Sequence, residues 1–230
     1  MTRYRCLVLD HDDTSVQSTP AVHYPAYVET MRRLRPQLTP ATREEFTRLW
    51  FESCFMDTCR ETYHFTPEEM QLQDENWKKY MQQRVPAFFD GLPQIIRRQR
   101  AEGGLVCVVS HSYARYIRRD YAAAGLPEPN AVLGWEIGAE HQKPSPEPLE
   151  RLMQQFDLTP ADILVVDDLK PGFDMARAAG CDFIAALWGY PKGALRQMIA
   201  GGAQGGTMLE TPGELYQMLF GEEMKNEDRE

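Results

Sequence analysis

Apolar residues nowhere run on for the roughly 20 positions that a membrane-spanning helix needs. Positive charge is also short. Lysine and arginine number 25 against 34 aspartates and glutamates, a net charge of −9 with histidine neutral. That balance argues against a grip on nucleic acid or on an anionic membrane, both of which need a basic face. Cysteine is scarce and odd in number, at Cys6, Cys54, Cys59, Cys107 and Cys181. Three of the five sit in apolar strand-like runs, so they read as reduced thiols and not as a disulfide frame. The spacing of Cys54 and Cys59 suits no metal pair. The first six residues carry no signal-peptide core, and there are no internal repeats. Gly201-Gly202 and Gly205-Gly206 lack the strand-to-helix context of a nucleotide fingerprint and read as a loop. The acid-rich residues 221–230 read as a frayed tail. What remains is a 230-residue chain, 43% hydrophobic and 26% charged, close to the globular average. It is expected to be a cytoplasmic protein and, without a long heptad or apolar stripe, a monomer.

Short apolar runs ending in Asp or Ser punctuate this chain, at 6–10, 105–110, 131–133, 163–167 and 183–187. Continuous Val- and Ile-rich runs suit strands buried on both faces of a parallel sheet. Helical patterns at 93–101, 112–124 and 171–179 lie between them and stop at Gly103, Gly125 and Gly180. The alternation predicts an α/β fold, a doubly wound Rossmann-like parallel sheet. From 16 to 92 no strand signal occurs. Tyr24, Tyr27, Val28, Met31 and Leu34 follow helical spacing, and Thr42 with Glu45 and Thr66 with Glu69 fit capping boxes. Half of the chain's aromatic rings fall in that interval, as a small domain with its own core requires. The expected organisation is an α/β core at 1–15 and 93–230, with an all-helical domain at 16–92 inserted after the first strand.

The first strand runs into Asp10-His11-Asp12-Asp13-Thr14. Three carboxylates in four positions repel one another unless a cation or protons offset the charge. Asp10 and Asp12 can project into one crevice at the carboxyl edge of the sheet, where open α/β sheets bind ligands; a turn or helix cap is the plainer reading. Asp167-Asp168 ends another strand and places a second acidic pair at that edge. Oxygen-only donors of this kind suit Mg²⁺ better than zinc. Ser110-His111-Ser112 leads from the second strand into a helix, a ready phosphate site. Lys143 precedes Pro144-Ser145-Pro146, a stiff loop that can hold its charge beside an anion, although a solvated surface lysine would look the same.

Taken in order, Leu7 to Thr14, Val108-Val109-Ser110, Lys143 to Pro148 and Val165-Val166-Asp167-Asp168 resemble the haloacid dehalogenase-like hydrolase superfamily, from Tyr4 to about Leu219. The resemblance implies Asp10 as nucleophile, forming an aspartyl-phosphate, and Asp12 as general acid and then base. It implies that Thr14 orients Asp12, that Ser110 and the His111 N–H hold phosphate oxygens, and that Lys143 offsets charge. Mg²⁺ would be bound by Asp168, the Asp10 carboxylate and the Asp12 backbone carbonyl, with Asp167 helping directly or through water. Asp12 and the acidic pair favour phosphate over carbon–halogen chemistry. The insertion resembles the helical cap of the first cap class. His11 is expected beside the leaving group, and Arg60, Tyr63 and His64 on the cap are candidates for selecting substrate. Ser15 stands where the family often has an apolar residue. The implied activity is a Mg²⁺-dependent phosphatase acting on a small phosphorylated metabolite. A phosphotransferase or phosphomutase on the same scaffold is the nearest alternative. A non-catalytic regulatory or binding protein is another, though it would be expected to lose Asp10, Asp12 or the acidic pair.

Overall fold

The computed structural model describes residues 3–52, 57–190 and 207–224, with backbone alone at 50–52. Cys54, Gly201, Gly202, Gly205, Gly206 and residues 225–230 of the tail lie outside them. The described chain divides into two compact units, Met1–Val16 with Ala87–Glu230, and Gln17–Pro86.

In the first unit the strands are β1 (Cys6–Leu9), β2 (Leu105–Val109), β3 (Ala131–Leu133), β4 (Ile163–Asp167), β5 (Asp182–Ala186) and β6 (Thr207–Leu209). They form one parallel sheet in the order β3-β2-β1-β4-β5-β6. Side chains alternate across it. Leu7, Leu9, Val106, Val108, Leu164 and Val166 meet Ile95 and Ile96 of the helix Leu92–Ala101, Ile117 and Tyr121 of the helix Ala114–Ala123, and Leu215 of the helix Pro212–Phe220. Cys6, Val8, Cys107, Val109, Ile163 and Val165 meet Leu149 and Leu152 of the helix Glu147–Phe156 and Met175 of the helix Lys170–Ala179. Both faces are thus covered, which is why these strands read as unbroken apolar runs. Each fully buried Val, Leu or Ile side chain contributes about 1.5–3 kcal/mol. A one-residue slip would exchange the two faces, so the residues at the strand ends are held in fixed register.

The strand β6 has no counterpart among the expected runs, being three residues long and not fully buried. Phe88, Phe89 and Leu92, expected within the insertion, join the core beneath β1. Val16 pairs antiparallel with Phe88, and the Phe89 N–H donates to the Ser15 carbonyl at 3.0 Å. The boundary therefore falls at Ala87 and not after Leu92.

The second unit is helical among its described residues, with helices Tyr24–Leu34, Arg43–Glu52 and Pro67–Gln83. Tyr27, Met31, Phe46, Cys59 and Phe65 form its core. Both capping boxes are present, at Thr42 with Glu45 and at Thr66 with Glu69. Arg35 forks onto Glu69 at 2.7 and 2.8 Å and also donates to the Tyr63 and His64 carbonyls. That guanidinium pushes the Glu69 carboxyl down to about 2. No described helix is long and apolar enough to cross a membrane.

Candidate active site

From β1 the chain moves outward through β2 and β3, then returns to the other side of β1 for β4, β5 and β6. Such a reversal leaves a crevice at the carboxyl edge of the sheet. Asp10 follows β1 there, Ser110 follows β2, and Asp167 ends β4. Main-chain bonds extend the ladder past the strands: Asp10 N–H to the Val166 carbonyl at 2.9 Å, and Ser110 N–H to the Leu133 carbonyl at 3.1 Å.

Asp10, Asp167 and Asp168 are buried, with one carboxylate oxygen of each within 4.8 Å of the others. Lys143, 7% exposed, donates from Nζ to Asp10 Oδ1 at 2.8 Å and to Asp167 Oδ2 at 2.6 Å. Asp167 Oδ1 accepts the Leu169 N–H at 2.9 Å. Asp168 lies between two hydroxyls, Thr14 on Oδ1 at 2.9 Å and Tyr190 on Oδ2.

Burial raises the Asp167 carboxyl to about 6, with the charge of Asp10 adding to the shift and Lys143 opposing it. Burial, then the charges of Asp10 and Asp167, raise Asp168 well above the carboxylate range. Burial by itself would lower the Lys143 ammonium, but Asp10 and Asp167 outweigh it and hold the group above its ordinary value. Were all three carboxylates ionised, one ammonium would leave the cluster short of positive charge. A buried set of oxygen donors with that deficit fits a hard divalent cation such as Mg²⁺.

Ser110 is buried, and its hydroxyl accepts the Ser112 N–H at 3.2 Å. His111, expected to act through its backbone, also uses its ring: Nε2 lies 3.2 Å from the Lys143 carbonyl oxygen, and the ring stands edge-on to Trp135. Asp12 is half-buried and lies outside the carboxylate cluster.

Three expectations change. Thr14 does not serve Asp12 through the contact seen here; its hydroxyl holds Asp168, and its carbonyl accepts the Trp188 indole N–H at 2.8 Å. His11, expected beside the leaving group, is fully buried with Nε2 3.1 Å from Asp120 Oδ2. Tyr63 is used inside its own unit, its hydroxyl 3.0 Å from that of Tyr27 and its ring packed on Phe65. Arg60 pairs with Asp57 at 3.2 Å and is exposed, as is His64.

Other residues at the site were not among the expected site residues. Ser15 is buried and donates to the Asp10 carbonyl at 2.6 Å, which explains a hydroxyl where an apolar side chain is common. Tyr190 was hidden in the turn after β5. Gly172 is needed because a Cβ there would fall inside the Asp167 carboxylate, and Gly189 because one would strike the Asp13 carbonyl.

The sequence profile described as haloacid dehalogenase-like hydrolase matches residues 9–186. The chain is 27% identical over 106 residues to a phosphoglycolate phosphatase of Haemophilus influenzae, covering 46% of this chain and 47% of that protein. It is 25% identical over 127 residues to an N-acetylmuramic acid 6-phosphate phosphatase of Pseudomonas aeruginosa, covering 54% and 56%. The matches thus span about half the length of these curated relatives. A crystal structure of a predicted phosphoglycolate phosphatase from Haemophilus somnus shares the fold, with a TM-score of 0.75 at 18% identity over 95% of this chain and 99% of that one.

Proposed function

The chain belongs to the haloacid dehalogenase-like hydrolases, and from that premise we propose that it is a Mg²⁺-dependent phosphatase of small phosphorylated metabolites, working through an aspartyl-phosphate on Asp10. The observation that carries this reading is the Lys143 ammonium set between Asp10 and Asp167 in a buried cluster at the sheet edge. A carboxylate cannot approach a phosphate monoester against mutual repulsion unless fixed positive charge offsets it.

In this reading an Asp10 oxygen bonds to phosphorus as the ester P–O bond breaks, and Asp12 gives its proton to the departing alcohol oxygen. Asp12 then takes a proton from water, whose oxygen attacks phosphorus, releasing phosphate and restoring Asp10. The Ser110 hydroxyl and the His111 N–H receive phosphoryl oxygens, and Lys143 balances charge on Asp10 throughout. Asp10, Asp168 and the Asp12 carbonyl would hold Mg²⁺, with Asp167 fixing Lys143 beside them. The bound ion supplies further positive charge for the phosphoryl group.

The names of the two curated relatives support a small phosphate ester as substrate. Arg60 and His64 remain the insertion's candidates for selecting it. The reduced thiols of Cys6, Cys107 and Cys181 support a cytoplasmic setting.

The test is phosphate release from p-nitrophenyl phosphate, phosphoglycolate and a panel of sugar and amino-sugar phosphates, with Mg²⁺ and with EDTA. Release that needs Mg²⁺ and disappears in Asp10→Asn, with the fold retained, is the expected result. Activity of Asp10→Asn within about tenfold of the parent would overturn nucleophilic catalysis by Asp10, which is worth far more than that factor. Transfer to an acceptor hydroxyl with no free phosphate would point to a phosphotransferase instead.

A further inference from the structure

His11 separates Asp10 from Asp12, yet its side chain takes no part in the acidic cluster. It lies with Leu7 and Leu9, as the two-residue alternation of an extended chain requires. There the ring stacks on Tyr121, with centroids 6.4 Å apart, and meets Phe88 edge-on at the same separation. Nε2 lies 3.1 Å from Asp120 Oδ2, and both side chains are fully shielded from water. Nδ1 has no partner among the described residues, so Asp120 is the polar anchor of this ring. The other oxygen of Asp120 takes the Arg119 guanidinium at 2.8 and 2.7 Å.

A polar pair this far from water is unfavourable compared with an apolar side chain of similar size. The surrounding core, with Phe88, Ile117 and Tyr121, would accept one. What the pair adds is direction. The His11 carbonyl accepts the N–H groups of Ser15 at 2.9 Å and Val16 at 3.0 Å, so the loop that carries Asp12 closes on His11. Asp120 sits in the helix Ala114–Ala123, which begins just after the Ser110–Ser112 turn.

We propose that His11 and Asp120 are positioning residues: their buried bond fixes the Asp10–Asp12 loop against the helix that follows the phosphate-binding turn. The proposal rests on the reading of Asp10 and Asp12 as nucleophile and acid/base. An apolar side chain at position 11 would fill the space but leave the loop free to shift, and phosphoryl transfer depends on alignment at the scale of an ångström.

The experiment compares His11→Leu, His11→Gln and the double variant His11→Leu with Asp120→Leu by thermal unfolding and by steady-state kinetics with saturating Mg²⁺ on the best ester found. His11→Leu is expected to lower Tm, because it leaves the buried Asp120 carboxylate without its partner, whereas the double variant keeps Tm near the parent's; in both, kcat falls on the order of 10–10²-fold and KM stays within about threefold. His11→Gln, whose amide N–H can take the place of Nε2–H, restores most of kcat. The proposal is overturned by a kcat for His11→Leu within about twofold of the parent, or by a fall that His11→Gln does not restore. Should His11→Leu not fold, the double variant, which leaves no buried carboxylate without its partner, carries the same expectation for kcat, and an unchanged kcat there overturns the proposal as well. Failure of the underlying reading looks different: a parent protein that releases no phosphate, or an active Asp10→Asn, which removes both.

Discussion

One ammonium holds two carboxylates in the acidic cluster, and its removal leaves both without their shared donor. Lys143→Ala is therefore expected to lower kcat by about 10²–10³-fold at saturating Mg²⁺, the range for one preorganised electrostatic donor. A rate equal to the parent's would make Lys143 a structural charge only. Asp168 depends on neighbours of another kind, the hydroxyls of Thr14 and Tyr190. Tyr190→Phe removes one of these and should weaken Mg²⁺ binding by about tenfold, as loss of a partner that orients a ligand does; titration calorimetry would read it. At this scale the sequence was informative about Asp10, Lys143, Asp167 and Asp168, because each ends a strand or sits in a stiff loop. It was less informative about hydrogen-bond partners. Thr14 turns to a residue 154 positions away, which local spacing does not encode. The burial of His11 was legible in principle, since the alternation that sets Leu7 and Leu9 inward extends to position 11.

Helices in this fold are docked closely enough on the sheet that single positions allow no side chain. Gly172, in the first turn of the helix Lys170–Ala179, faces the Asp167 carboxylate at the end of β4. Gly172→Ala must push either the helix or the carboxylate away. It is expected to lower stability by about 1–3 kcal/mol and to disturb the Asp167–Lys143 bond, seen as a lower Tm together with a lower kcat. Wild-type values for both would show that the helix shifts without consequence. Element existence was readable wherever burial was complete. β1, β2 and β4 carry apolar residues on both faces, and the capping boxes at Thr42 and Thr66 mark true helix starts. β6 was not readable, because three partly buried residues at a sheet edge have neither a long apolar run nor an alternation to announce them.

For the molecule as a whole, the acidic cluster links stability to pH and to metal. The folded-state values of Asp167, about 6, and of Asp168 lie above the ordinary 3.8 of an aspartate. Between about pH 4 and pH 6 the folded protein therefore binds more protons than the unfolded chain, and stability falls as pH rises through that window. With EDTA, Tm is expected to be higher at pH 5 than at pH 8. Mg²⁺ bound as proposed would compete with protons for the same oxygens, so it should raise Tm more at pH 8 than at pH 5. Thermal unfolding at the two pH values, with and without Mg²⁺, would check both statements, and a Tm that rises with pH in EDTA would contradict them.

The pairing of Val16 with Phe88 has a consequence for how such a chain can change over time. The 70-residue excursion Gln17–Pro86 departs and returns at two adjacent residues whose partnership belongs to the first unit. Insertions succeed where the ends they join are already close together. Lengthening, shortening or wholesale replacement of the excursion leaves the register of β1, and with it Asp10, undisturbed. The joint acts as a socket, through which evolution or a protein engineer can exchange the helical module without rethreading the sheet.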